Sequence, residues 1–126
     1  MCIGLTQLPA FDPEEFLAVA VGLGGSAANE AQRRTAVGRA YYALFLIARD
    51  RIYSDSPPPR ATHERVLDEV TPRHNSIGLK LRALNNLRIE ADYRMVPSRP
   101  DYRDWQINLM AALAIVQDIL PTIRSI

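Results

Sequence analysis

Residues 34–53 read RTAVGRAYYALFLIARDRIY. Within them Val37, Ala40, Tyr41, Leu44, Ala48 and Ile52 recur at three- and four-residue steps, the period of one face of an α-helix. A second face carries Thr35, Arg39, Tyr42, Leu46, Arg49 and Tyr53. A helix with an apolar stripe on one side and an Arg/Tyr stripe opposite it needs neighbours on both sides. The spacing therefore predicts a central helix from about Asn29 to Tyr53.

The flanking sequence supplies partners for it. Asp12-Pro13-Glu14-Glu15 is a helix start: Asp12 caps, Pro13 suits the first turn and Glu15 completes a capping box. The helix it opens carries Phe16, Leu17, Ala20 and Leu23 and stops at Gly24-Gly25. Residues 54–59 hold three consecutive prolines, which predicts an exposed loop. A short helix is expected from near Thr62, with His63, Val66, Leu67 and Val70 on one side and Pro72 as its end. Another begins near Asn75 or Ser76 and carries Ile77, Leu81, Leu84, Leu87 and Ala91. After a break at Val96–Pro100, a last helix is expected from about Asp101 to Arg124. Its apolar positions are Tyr102, Trp105, Leu109, Ala112, Val116, Ile119, Leu120 and Ile123, and Pro121 is expected to kink it or end it early. No alternating run long enough for a strand occurs. The expectation is one all-α domain over residues 1–126, an antiparallel up-and-down four-helix bundle with a short additional helix.

Composition narrows the function. The chain has 126 residues, 48% of them apolar, enough for a sizeable core. Its net charge is +1, with 15 basic and 14 acidic residues, which excludes a polycation bound to nucleic acid by bulk charge. Lys80 is the one lysine; the other basic residues are all Arg, a bias that GC-rich codon usage also produces. Arg nevertheless offers a planar fork for phosphate or carboxylate. The stretch Phe16–Ala28 is too short to span a bilayer, and no basic segment precedes it, so a soluble cytoplasmic protein is expected.

Conventional catalytic motifs are missing. Cys2, the one cysteine, forms neither an internal disulfide nor a thiolate metal site. His63 and His74 are the only histidines and have no ligand cluster, so no metal and no cofactor is expected. No Gly-x-Ser-x-Gly elbow is present, and no Lys-Ser or Lys-Thr follows Gly22-Leu23-Gly24-Gly25. Arg88, by contrast, projects from the same stripe as Ile77, Leu81 and Leu84, with Asp92 one turn on. A charge there is expensive to desolvate unless paired. Arg88 and Asp92 either form an internal ion pair or line a groove. If the second and fourth helices are neighbours, Arg39, Tyr42, Arg88, Asp92 and Tyr93 converge as candidate ligand-binding residues, with Arg34, Arg49 and His63 as secondary candidates. Arg would take phosphate, and Tyr would stack on a base or hydrogen-bond to it. A polar packing seam between helices or subunits is the competing explanation.

The segment from Arg34 to Phe45 resembles the RAYYAxF helix of HEPN domains (higher eukaryotes and prokaryotes nucleotide-binding). Leu84 to Tyr93, with Leu87-Arg88 and Ala91-Asp92-Tyr93, resembles that group's LxxLRxxADY segment, and His63 with Val66 resembles its HxxV element. The resemblance covers about half of the chain. It implies a helical bundle, a homodimer, and in some members a toxin paired with a minimal nucleotidyltransferase antitoxin. Many members are metal-independent ribonucleases that carry an Arg followed four to six residues later by a His. This chain departs there: Tyr93 stands five residues after Arg88, and no Arg has a His at the required spacing. A phenol with a pKa of about 10 is a poor proton shuttle at neutral pH. Three readings follow. The first is a HEPN-like module that binds nucleotide or RNA, a nucleotidyltransferase-type partner, or both, in a toxin–antitoxin or defence system. The second is a divergent ribonuclease using Tyr93 or His63. The third is a purely structural dimerisation module.

Overall fold

The computed structural model describes residues 11–53 and 63–126. These form five α-helices: α1 (Glu15–Leu23), α2 (Glu30–Tyr53), α3 (His63–Arg73), α4 (Asn75–Tyr93) and α5 (Trp105–Arg124). A 3-10 turn at Pro100–Tyr102 precedes α5, and no strand occurs among the described residues. The expected proline loop and the expected start at Thr62 lie outside the described residues, as does Cys2.

Side chains cap the starts of α2 and α5, whereas α1, expected to be boxed by Asp12 and Glu15, begins at Glu15 behind a turn and has no side-chain cap. The Asp12 carboxylate accepts from the Glu14 amide at 3.0 Å, and its carbonyl accepts from the Glu15 amide. At α2, the Asn29 side chain accepts from the Gln32 amide while the Gln32 side chain accepts from the Asn29 amide, both at 2.9 Å. This reciprocal box satisfies two otherwise orphaned donors. Asp104 caps α5 by accepting from Gln106 and Ile107, so the helix begins at Trp105 rather than at the expected Asp101. Pro121 does not end α5 early: the helix runs on to Arg124. The amide that proline lacks would have served the carbonyl of Gln117, an exposed residue whose carbonyl water can serve. Pro72 likewise falls inside the last turn of α3, which continues to Arg73.

Packing makes α2 the centre, in contact with each of the other four helices. Its stripe of Val37, Ala40, Tyr41, Leu44 and Ala48 is buried, and Ala36, Ala43 and Phe45 widen the buried arc. Arg39, Tyr42, Leu46, Arg49 and Tyr53 on the other face are half-buried. Tyr41, Leu44, Leu67, Leu81, Leu84 and Ile123 are fully enclosed, so α2, α3, α4 and α5 all feed one core. By length and composition α5 could cross a membrane. Its Trp105, Leu109, Ala112, Val116, Ile119 and Ile123 are instead buried in that core.

Two glycines permit close approaches. A Cβ on Gly78 would stand 2.7 Å from the Thr71 Cα, so α4 can cross α3 this closely only without a side chain there. A Cβ on Gly24 would collide with the Leu109 side chain, where the end of α1 meets α5.

Candidate functional site

The arginine expected on the α4 stripe is inside the protein. Arg88 is 6% exposed. Its Nη2 donates to the Asn85 Oδ1 at 2.8 Å, and its Nη1 lies 3.7 Å from the Asp92 Oδ2, an ionic contact too long for a hydrogen bond. The Asp92 carboxylate also faces α2, where a Cβ on Gly38 would be 3.5 Å from its Oδ1. The Arg88 guanidinium carbon stands 5.2 Å from the Tyr41 ring centre and 5.9 Å from that of Tyr42, within cation–π range. Its Nε is enclosed and has no acceptor.

Arg39 reaches the same ring from α2. Its guanidinium carbon lies 5.3 Å from the Tyr42 ring and 5.3 Å from the Phe16 ring of α1. Its Nε is also enclosed without an acceptor, and it has no carboxylate partner among the described residues. Two guanidinium groups therefore share one phenol ring, and Asp92 is the carboxylate recorded beside them. Arg39, Tyr42, Arg88 and Asp92 converge as expected.

Tyr93 does not join them. It is 72% exposed at the last position of α4. At 100° per residue, five steps carry it about 140° round the helix from Arg88, whereas the four steps to Asp92 carry that residue only about 40°. Arg34 is committed elsewhere. Its Nη1 donates to the carbonyls of Glu90, Ala91 and Arg94, its Nε donates to Glu30, and its guanidinium stacks 4.5 Å from the Trp105 ring. It thus serves the orphaned carbonyls at the end of α4. Arg49 lies two to three turns along α2, with the Asp50 carboxylate 3.5 Å away.

His63, the first residue of α3, is part of the cluster. Its Nδ1 is 2.7 Å from the Tyr41 hydroxyl, and its ring packs 4.3 Å from that of Phe45 and 5.7 Å from that of Tyr42. Burial, and then the Arg88 charge, hold its pKa below the usual histidine value, so it is neutral at pH 7. Burial raises the Tyr41 pKa, so the phenol keeps its proton. Sequence reasoning missed Asn85, the residue that orients Arg88, although its position three residues before Arg88 was a readable signal. It also missed the Tyr41–His63 pair, which no local pattern encodes.

Glu90, a buried carboxylate, lies two residues after Arg88 in the last turn of α4, about 200° round the helix from it and so on another face. Glu90 accepts from the Ser98 amide at 3.1 Å and from the Ser98 hydroxyl, tying the segment before α5 to α4. Asn86, Ile89, Glu90, Ser98, Arg99 and Tyr102 line a cleft of about 280 Å3 there. Among the described residues no three His, Cys, Asp or Glu side chains are grouped to hold a metal. Comparison of the chain with protein-family models, with curated proteins and with solved structures gives no match.

Proposed function

We propose that the protein is a HEPN-like antiparallel helical bundle that binds RNA or a nucleotide through phosphate contacts at the Arg39–Tyr42–Arg88 cluster. The observation that carries this reading is the pair of guanidinium groups on the Tyr42 ring, one of which, Arg39, has no acid partner among the described residues. Arg39 is half-buried with no acid among the described residues to neutralise it, and a phosphate beside its guanidinium would offset the cost of desolvating the charge. Arg39 would take phosphate, Tyr42 would stack, and Asp92 with Asn85 would hold Arg88. Homodimerisation and docking of a nucleotidyltransferase-type antitoxin belong to the same reading. The exposed apolar residues Val19 and Val21 on α1 and Ile107 and Met110 on α5 support a second, apolar contact surface.

The test is fluorescence anisotropy with a short single-stranded oligoribonucleotide at increasing salt. Affinity should fall as salt rises, and Arg39→Gln should reduce the log–log slope by about 0.7, one phosphate contact on a single strand. A slope unchanged in Arg39→Gln, or no binding at low salt, overturns the reading.

One observation favours a second reading, metal-independent RNA cleavage: the 2.7 Å contact to Tyr41 holds an imidazole beside Arg88. It places the acid–base role on His63 rather than on exposed Tyr93. Cleavage in the presence of a chelator, lost in His63→Gln, supports it; intact RNA after incubation with the protein refutes it.

A further inference from the structure

The Tyr41–His63 contact limits which nitrogen of the imidazole carries the proton. The Tyr41 hydroxyl has one recorded hydrogen-bond partner, the His63 Nδ1. A buried phenol must place its proton on an acceptor, and a neutral imidazole has one acceptor nitrogen and one donor nitrogen. If Nδ1 carried the proton, the Tyr41 O–H would have no acceptor among the described residues. If Tyr41 donates to Nδ1, both groups are satisfied and the proton of His63 sits on Nε2. The surroundings of His63 oppose a second proton: burial and the Arg88 charge of α4 both favour the neutral ring, and the Tyr41 phenol beside it keeps its proton. Glu64 of α3, the adjacent carboxylate, contacts Arg82. His63 is half-buried, and its Nε2 makes no hydrogen bond among the described residues, which leaves that nitrogen for a ligand.

We propose that Tyr41 locks His63 as the neutral Nε2–H tautomer, so that His63 presents an uncharged N–H donor to a phosphoryl oxygen held at the Arg39–Tyr42–Arg88 cluster. The proposal rests on the anion-binding reading above. It assigns Tyr41 as a positioning residue and His63 as a ligand-contacting one. It also separates that reading from cleavage: the lone pair of His63 is occupied by Tyr41, so the protonated Nε2 cannot take a proton from a ribose hydroxyl. The site binds RNA and leaves it intact.

The test is long-range 15N–1H NMR of the full chain, with His63 told from His74 by the variant His74→Gln. At pH 7 the expected spectrum shows His63 protonated at Nε2 and bare at Nδ1. Tyr41→Phe, which removes only the hydroxyl, should give a tautomer mixture and raise the His63 titration midpoint, because the neutral form loses its hydrogen bond. A short oligoribonucleotide should then shift the Nε2–H resonance of the wild-type protein. A wild-type Nδ1–H tautomer, a mixture, or an unchanged tautomer in Tyr41→Phe overturns the role of Tyr41 whether or not RNA binds. RNA binding by anisotropy without movement of the Nε2–H resonance overturns the donor role of His63. The expected tautomer with no RNA binding at all overturns the anion-binding reading, and with it the ligand, but leaves the Tyr41 assignment standing.

Discussion

Replacing Arg88 separates a structural role from a binding role. Arg88→Ala removes the 2.8 Å bond to Asn85 and the contacts with two tyrosine rings. A hydrogen bond from a charged donor is worth about 2 kcal/mol, and the ring contacts add about 1 kcal/mol. The truncation also leaves Asn85, 5% exposed, without its recorded partner. Arg88→Ala should therefore lose about 3 kcal/mol of stability, part of the loss being offset because a buried cation no longer has to be desolvated. The double variant Arg88→Met with Asn85→Leu replaces both partners by apolar side chains of similar size. Such exchanges are close to neutral, so its stability should lie within about 1 kcal/mol of wild type. Urea unfolding followed by helical circular dichroism measures both differences, and anisotropy measures RNA binding by the folded double variant. The expected result is near-wild-type stability with binding lost. A stable double variant that binds RNA as well as wild type would refute the assignment of Arg88 to the ligand.

Other predictions follow from packing and charge. Gly78→Ala should lose about 2 kcal/mol despite the better helix propensity of alanine, because the new methyl meets the Thr71 backbone; a urea midpoint at or above wild type would contradict the close α3–α4 contact. Lowering the pH should weaken the fold through His63. Its pKa is depressed in the folded state, so below about 6.5 the unfolded chain takes up a proton that the folded chain does not, and stability falls. Urea midpoints at pH 7.5 and 5.5 measure this, and His63→Gln should remove that share of the pH dependence.

The helices were legible because their signals are local. Ile77, Leu81, Leu84, Leu87 and Ala91 mark α4 by period alone, and all five are buried. The start of α5 was misplaced because two aspartates compete for the same role. Asp101 falls inside the 3-10 turn, while Asp104 has the extended backbone of a cap and accepts two amides. Pro121 was over-read, since a proline one turn from a helix end removes a single bond that water replaces. In the site, Arg88 and Asp92 were legible from their four-residue step. Tyr93 was carried along by its neighbours although helix geometry turns it to solvent. The Tyr41–His63 bond joins residues 22 positions apart on separate helices, and only tertiary packing brings them together.

The most direct measurement of the central claim is NMR of the arginine Nε–H groups during titration with a short oligoribonucleotide. Convergence of Arg39 and Arg88 on Tyr42 predicts that the resonances of these two move most, and that they saturate together. Movement confined to other arginines, such as Arg94, Arg99 and Arg103, with Arg39 and Arg88 unchanged, would contradict it.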